Sequence, residues 1–212
     1  MSDIALMKPI LANLSPEWEG RASILEMKSA NFQWRQMEWI GFYFELLCRR
    51  VLKDVLQFPG DRFGNVSFDM KGSLNWDLKT KAIRSDSHEM ILNDQAAIAT
   101  SVTQYGRHGF VVALCDVEYN DNDRTFQQWH TELKGGPTAY EEERIERTSV
   151  SRYRKTHARL TEILFLSIDS ENLKDLDLMR QGRNSNGRPR APKYSLDLEY
   201  IDPFLSDRIV FR

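Results

Sequence analysis

The chain has 212 residues, with 31 acidic and 29 basic side chains and a net charge of −2. Hydrophobic residues make up 41% and charged ones 28%, which excludes a disordered chain and is enough for one substantial core, so residues 1–212 read as a single domain. The near-neutral balance excludes a generally basic nucleic-acid binder, so positive charge for such a partner has to be local.

Two cysteines, Cys48 and Cys115, do not make a disulfide framework, and four scattered histidines offer no zinc spacing. The start, MSDIALMKPILANLSPEWEG, lacks the basic opening and long apolar run of a secretion signal. No stretch reaches the roughly 18 apolar residues of a membrane span. A cytoplasmic setting is the expectation.

Residues 15–57 read as helical. Ser15-Pro16-Glu17 predicts a capped start with Pro in the first turn. After a break near 29–31, QWRQMEWIGFYFELLCRRVLKDVL is too long for a strand, and Ile40, Phe44, Leu47, Val51 and Val55 recur at helical spacing. QFPGDRFGN is a loop. From Val66 the period changes to two: Val66, Phe68 and Met70 alternate with Ser67, Asp69 and Lys71. Gly72-Ser73-Leu74 allows a turn, and Trp76, Leu78 and Thr80 then alternate with Asp77, Lys79 and Lys81, which predicts a hairpin. ILNDQAAIATSVTQYG predicts a helix capped by Asn93 or Asp94 and ending at Gly106. GFVVALCDVEY and EILFLSI are continuous apolar runs, expected as buried strands. Residues 120–138 read as loop-rich, AYEEERIERTSVSRYRKTHARL as partly helical, and the tail as a long polar loop followed by a strand. This order predicts an α/β fold, a mixed β-sheet with helices on its faces.

The hairpin raises an electrostatic problem. A turn centred on Ser73 sets Asp69 opposite Asp77, where Cβ atoms stand about 4.5–5.5 Å apart. Period two puts Lys79 on the face of Asp77. Opposed carboxylates repel unless a cation lies between them or one is protonated. Mg2+ would resolve this, being a hard ion held through one or two carboxylates while keeping several waters. The bare [DE]-x-K pattern recurs at Glu26, Asp69, Asp77 and Glu132, so only context gives it meaning. The competing reading is a solvated edge, with Ser, Asp and Lys outward.

The layout of helix, Asp-bearing strand, turn and WDLK resembles the PD-(D/E)xK nuclease superfamily, and within it the type II restriction endonucleases, over about residues 35–120. The resemblance implies a restriction endonuclease-like core, here about residues 35–170. It implies that Asp69 and Asp77, with the Leu78 carbonyl, hold Mg2+ (with Mn2+ as a substitute), and that Lys79 assists the attacking water. An acid on the preceding helix would complete the catalytic set; Glu45 and Glu38, seven apart and so on one face, are the candidates. Asp61 rivals Asp69 as the first acid. The chain departs from the family pattern in having no Pro directly before Asp69.

Two segments concentrate positive charge. Residues 144–159 hold Arg144, Arg147, Arg152, Arg154, Lys155 and Arg159 against one acid, Glu146. Residues 180–193 hold Arg180, Arg183, Arg188, Arg190 and Lys193 with no acid, interleaved with Asn184 and Asn186. Such clusters fit a phosphate backbone, and Arg and Asn can also read base edges, so 180–193 is the candidate DNA-recognition loop. Asn93, at a helix start, is a further DNA candidate beside its plainer role as a cap. His130, next to Trp129, reads as a packing residue. No nucleophile-elbow, phosphate-loop or dinucleotide glycine motif is present. The expected function is Mg2+-dependent cleavage of double-stranded DNA at a specific sequence, by a homodimer matching a palindromic site. The alternatives are a repair nuclease or junction resolvase of the same fold, and a non-catalytic DNA-binding protein.

Overall fold

A computed structural model describes residues 2–59, 68–83, 88–146, 153–183 and 187–211; of 140, 144 and 145 it describes the backbone alone. In chain order the elements are α1 (Asp3–Leu11), β1 (Glu17–Glu19), α2 (Gly20–Ser29), α3 (Trp39–Leu52), β2 (Met70–Lys71), β3 (Asn75–Ala82), β4 (Glu89–Asp94), α4 (Gln95–Tyr105), β5 (Arg107–Glu118), α5 (Thr125–Lys134), α6 (Ala139–Glu146), β6 (His157–Asp169), β7 (Asp177–Met179), β8 (Lys193–Asp197) and β9 (Leu205–Val210). The result is an α/β fold around a mixed sheet in the order β1-β6-β5-β3-β2, with β9 also on β6. β3 and β5 run parallel, joined through β4 and α4; the other pairs of this sheet are antiparallel. A second sheet, β4-β8-β7, lies apart from this path.

Strand alternation divides the core. Trp76, Leu78, Val111, Ala113 and Phe165 pack on one face with Met7, Leu11, Met27, Phe44 and Leu52 from α1, α2 and α3. Phe110, Val112, Leu164 and Leu166 pack on the other, with Ile98 and Val102 of α4 and Met90, Leu92 and Leu196 of the second sheet. Each fully buried Leu, Phe or Met stabilises this arrangement by about 1.5–3 kcal/mol relative to exposure. Because β5 is covered on both faces, it reads as an unbroken apolar run.

Several local expectations need correction. Ser15-Pro16-Glu17 does not start a helix: Glu17–Glu19 pairs with β6, and Glu19 caps α2 by accepting the amides of Arg21 and Ala22 at 3.1 and 2.7 Å. The long helix begins only at Trp39, and its buried stripe is Ile40, Phe44, Cys48 and Leu52, while Val51 is exposed. Residues 120–138 are not merely loop, since α5 starts where the buried Asp121 accepts the amides of Phe126 and Gln127. The first hairpin strand is only Met70–Lys71; the expectation for 66–67 lies outside the described residues.

The hairpin turn is fastened from a distance. Asp3, buried on α1, accepts the Ser73 amide at 2.9 Å and the indole N–H of Trp76 at 2.8 Å. Gly109 on β5 lies directly under the Trp76 ring, where an added Cβ would meet ring carbon at 2.3 Å. No helix among the described residues is long and apolar enough to cross a membrane.

Candidate active site

The β2–β3 register pairs Met70 with Trp76 and Lys71 with Asn75, which carries Asp69 to the place opposite Asp77. β2 ends there, so the edge of β3 beyond it has no strand partner among the described residues. Asp69 fills the first position itself: its Oδ2 accepts the Leu78 amide at 2.8 Å. Asp77 is held from the other sides. Its Oδ2 accepts from Nδ2 of Asn93, on β4, at 2.8 Å and from Nε2 of His108, on β5, at 2.8 Å. No further hydrogen bond reaches either carboxylate among the described residues, so Oδ1 of each has no donor.

These contacts split the two acids. Burial and then the charge of Asp77 push the Asp69 carboxyl up to about 7, Glu45 adds to this, and the Leu78 amide and Lys79 oppose it. Burial also pushes Asp77 upward, but the bonds from His108 and Asn93 and the nearby Lys79 ammonium together hold it below its ordinary value. Glu45 approaches from α3, its side chain 15% exposed and bound to Arg49 at 3.0 Å. Burial raises its carboxyl, as does the charge of Asp77, while Arg49 and Lys79 pull it back. Lys79 therefore acts on Asp69, Asp77 and Glu45 at once. That convergence joins β3, the approach to β2, and α3.

Glu38 does not join this group. At the start of α3 and 65% exposed, it is ion-paired with Lys155. Lys155 is fixed there by its own carbonyl, which accepts the Trp39 indole at 2.8 Å. A cleft of about 400 Å3 opens at this end, bordered by Glu38 just before α3, Glu45 of α3, Lys79 and Lys81 of β3, and Lys155. Among the described residues, no group of three or more His, Cys, Asp or Glu side chains stands ready to enclose a metal ion. The two opposed carboxylates each keep one undonated oxygen among the described residues, and Mg2+ is an ion that needs only one or two carboxylates from a protein.

The basic candidates are dispersed. Arg152, Asn184 and Asn186 lie outside the described residues, as does Asp61. Arg154 is buried at 6% exposure and ion-paired with Glu141 at 3.6 Å. Arg183 donates to the Gly187 carbonyl at 2.8 Å, and the Arg190 amide bonds to Gly182 O at 3.0 Å, so the two sides of this loop meet. Arg188 and Arg190 are exposed. Lys193 lies on β8 opposite Asp94, 3.7 Å from its carboxylate, which ties the exit of this loop to the residue after Asn93. Asn93 itself faces Asp77 and does not cap α4. His130 is a packing residue, as expected: it is buried, beside Trp129, with Nε2 on the Trp34 carbonyl.

His108 is the residue that sequence reasoning passed over. It stands one residue before the apolar run that begins at Gly109, and only the parallel pairing of β3 with β5 brings it to Asp77.

No protein-family model matches the chain, and neither the curated proteins nor the solved structures contain a significant match to it.

Proposed function

We propose that this chain is a Mg2+-dependent endonuclease with a restriction endonuclease-like core, a type II site-specific deoxyribonuclease that hydrolyses phosphodiester bonds of double-stranded DNA. The observation that carries this is the opposition of Asp69 and Asp77 at the edge of β3, beside a cleft that both Glu45 and Lys79 border. The order of helix, hairpin, crossover helix and parallel strand supports it as well, being the layout on which the sequence resemblance rests.

In this account Asp69 and Asp77, with the Leu78 carbonyl, hold Mg2+, and Mn2+ substitutes. The bound ion supplies positive charge at the phosphate and a water acidified toward attack. Lys79 neutralises the scissile phosphate or orients the attacking water; Glu45 orders the site from α3. Lys155 and the exposed Arg188 and Arg190 contact the phosphate backbone, and the loop over 180–193 reads the sequence. Two copies act on a palindromic site in the cytoplasm, a setting that suits the two buried free thiols. The test is to incubate the protein with plasmid and phage DNA in Mg2+ and in chelator, then map the ends. Discrete, Mg2+-dependent fragments are expected. Ends scattered over all sequences, or confined to branched substrates, would move the assignment to a repair nuclease or junction resolvase. Duplex binding without any cutting would make it a non-catalytic DNA-binding protein.

A further inference from the structure

We infer that His108 and Asn93 form a clamp on the buried Asp77, positioning residues that act through its carboxylate to set how tightly the site takes a divalent ion. The inference rests on the nuclease proposal above. Both donors reach the same oxygen, Oδ2, at 2.8 Å, and they come from different elements on the two sides of β3's crossover. Asp77 is 3% exposed and His108 is fully buried, so the bond between them does not compete with bulk water, while Asn93 is half-buried. With Oδ2 doubly occupied, Oδ1 is the oxygen left for a cation.

Each donor is itself aimed. The Asn93 amide has its Oδ1 on the Asp94 N–H at 2.8 Å, which fixes Nδ2 toward Asp77. His108 stands 4.8 Å from Phe110, ring to ring, and its Nδ1 is buried with no hydrogen-bond partner among the described residues. An orphaned buried nitrogen is unfavourable. An apolar side chain would pack in that strand without it. What the imidazole gains instead, among the described residues, is its bond to Asp77. Partners behind a metal-ligating group fix its orientation, and losing one weakens metal affinity by about 10–100-fold.

The test is a calorimetric Mn2+ titration of the full chain, with and without a short duplex, beside a thermal melt of each variant. The wild type should bind Mn2+ and Asp77→Asn should not. Asn93→Ala and His108→Leu should weaken binding by about 10–100-fold. His108→Gln, whose terminal amide nitrogen takes the place of Nε2, should recover most of that loss while melting no higher than His108→Leu. A wild type that binds while Asn93→Ala and His108→Leu bind equally well overturns the clamp and leaves the nuclease proposal standing. A Gln variant as weak as a folded Leu variant assigns His108 to packing and also overturns it. If His108→Leu does not fold, undiminished binding by Asn93→Ala is sufficient to overturn it. A wild type that takes up no Mn2+ under either condition overturns both.

Discussion

Asp69 accepts the Leu78 amide at 2.8 Å, and so closes the edge of β3 one residue past its own cross-strand neighbour, Asp77. A strand edge, a carboxylate pair and a lysine thus share one short segment. The chemistry proposed above and the stability of the hairpin are coupled there.

Proton linkage at Asp69 gives the first prediction. Its folded value, pushed up to about 7 by burial and by Asp77, lies above its unfolded value near 3.8. The native state therefore keeps a proton that the unfolded chain releases. That stabilisation is complete below the unfolded value and is lost as pH rises through about 7. Melts recorded without metal should show Tm falling between about pH 4 and about pH 7, with a flatter profile for Asp69→Asn. Mn2+ competes with the same proton, so its affinity should increase over that interval.

Asp3 gives the second. Asp3→Ala strips acceptors from the Ser73 and Leu74 amides and the Trp76 indole, and should destabilise the fold by roughly 2–4 kcal/mol in urea titrations. Burial pushes its carboxyl up, but the Ser73 amide, the Trp76 indole and the Leu74 amide bring it below its ordinary value. Its contribution is present above the unfolded value and lost as pH falls through the lower folded one, so the deficit of Asp3→Ala should shrink in acid.

Gly109 gives the third. Its carbon approaches the buried Trp76 ring so closely that Gly109→Ala forces the ring or β5 to move. A loss of about 1–3 kcal/mol is expected by the same titration, as for other overpacked cores. Cleavage should fall as well, because Trp76 adjoins Asp77.

How much of this was legible in the sequence follows from the range of each interaction. The hairpin, its Asp69–Asp77 opposition and the helix ending at Gly106 depend on period, turn residues and a left-handed glycine, all local. The α3 stripe was displaced by one position because Val51 is as apolar as the Leu52 that is actually buried. Asp3 acts across 70 residues and His108 across 31, and no periodicity encodes such partners. α5 was hidden because Asp121 and Asp123 look like loop acids until their amide partners are placed. The basic runs show charge but not exposure, and Arg154 proves to be buried against Glu141.

The two candidate helix acids give the fourth prediction. Glu45→Gln removes a carboxylate that Lys79 and Asp77 both sense, and should lower cleavage on the order of 10–100-fold. Glu38→Gln instead frees Lys155, and should raise duplex affinity modestly at low salt. Lys155→Ala should lower that affinity and reduce the salt slope by about one. Filter binding across a salt series separates these effects from the cleavage rate.

The central claim is that Asp69, Asp77 and Lys79 serve one divalent ion at one scissile phosphate. The most direct measurement is cleavage of a duplex by Asp77→Ala and Lys79→Ala in Mg2+, scored beside duplex binding and Tm. Loss of cutting with folding and most of the binding retained is the predicted result; undiminished cutting by both variants would contradict the account.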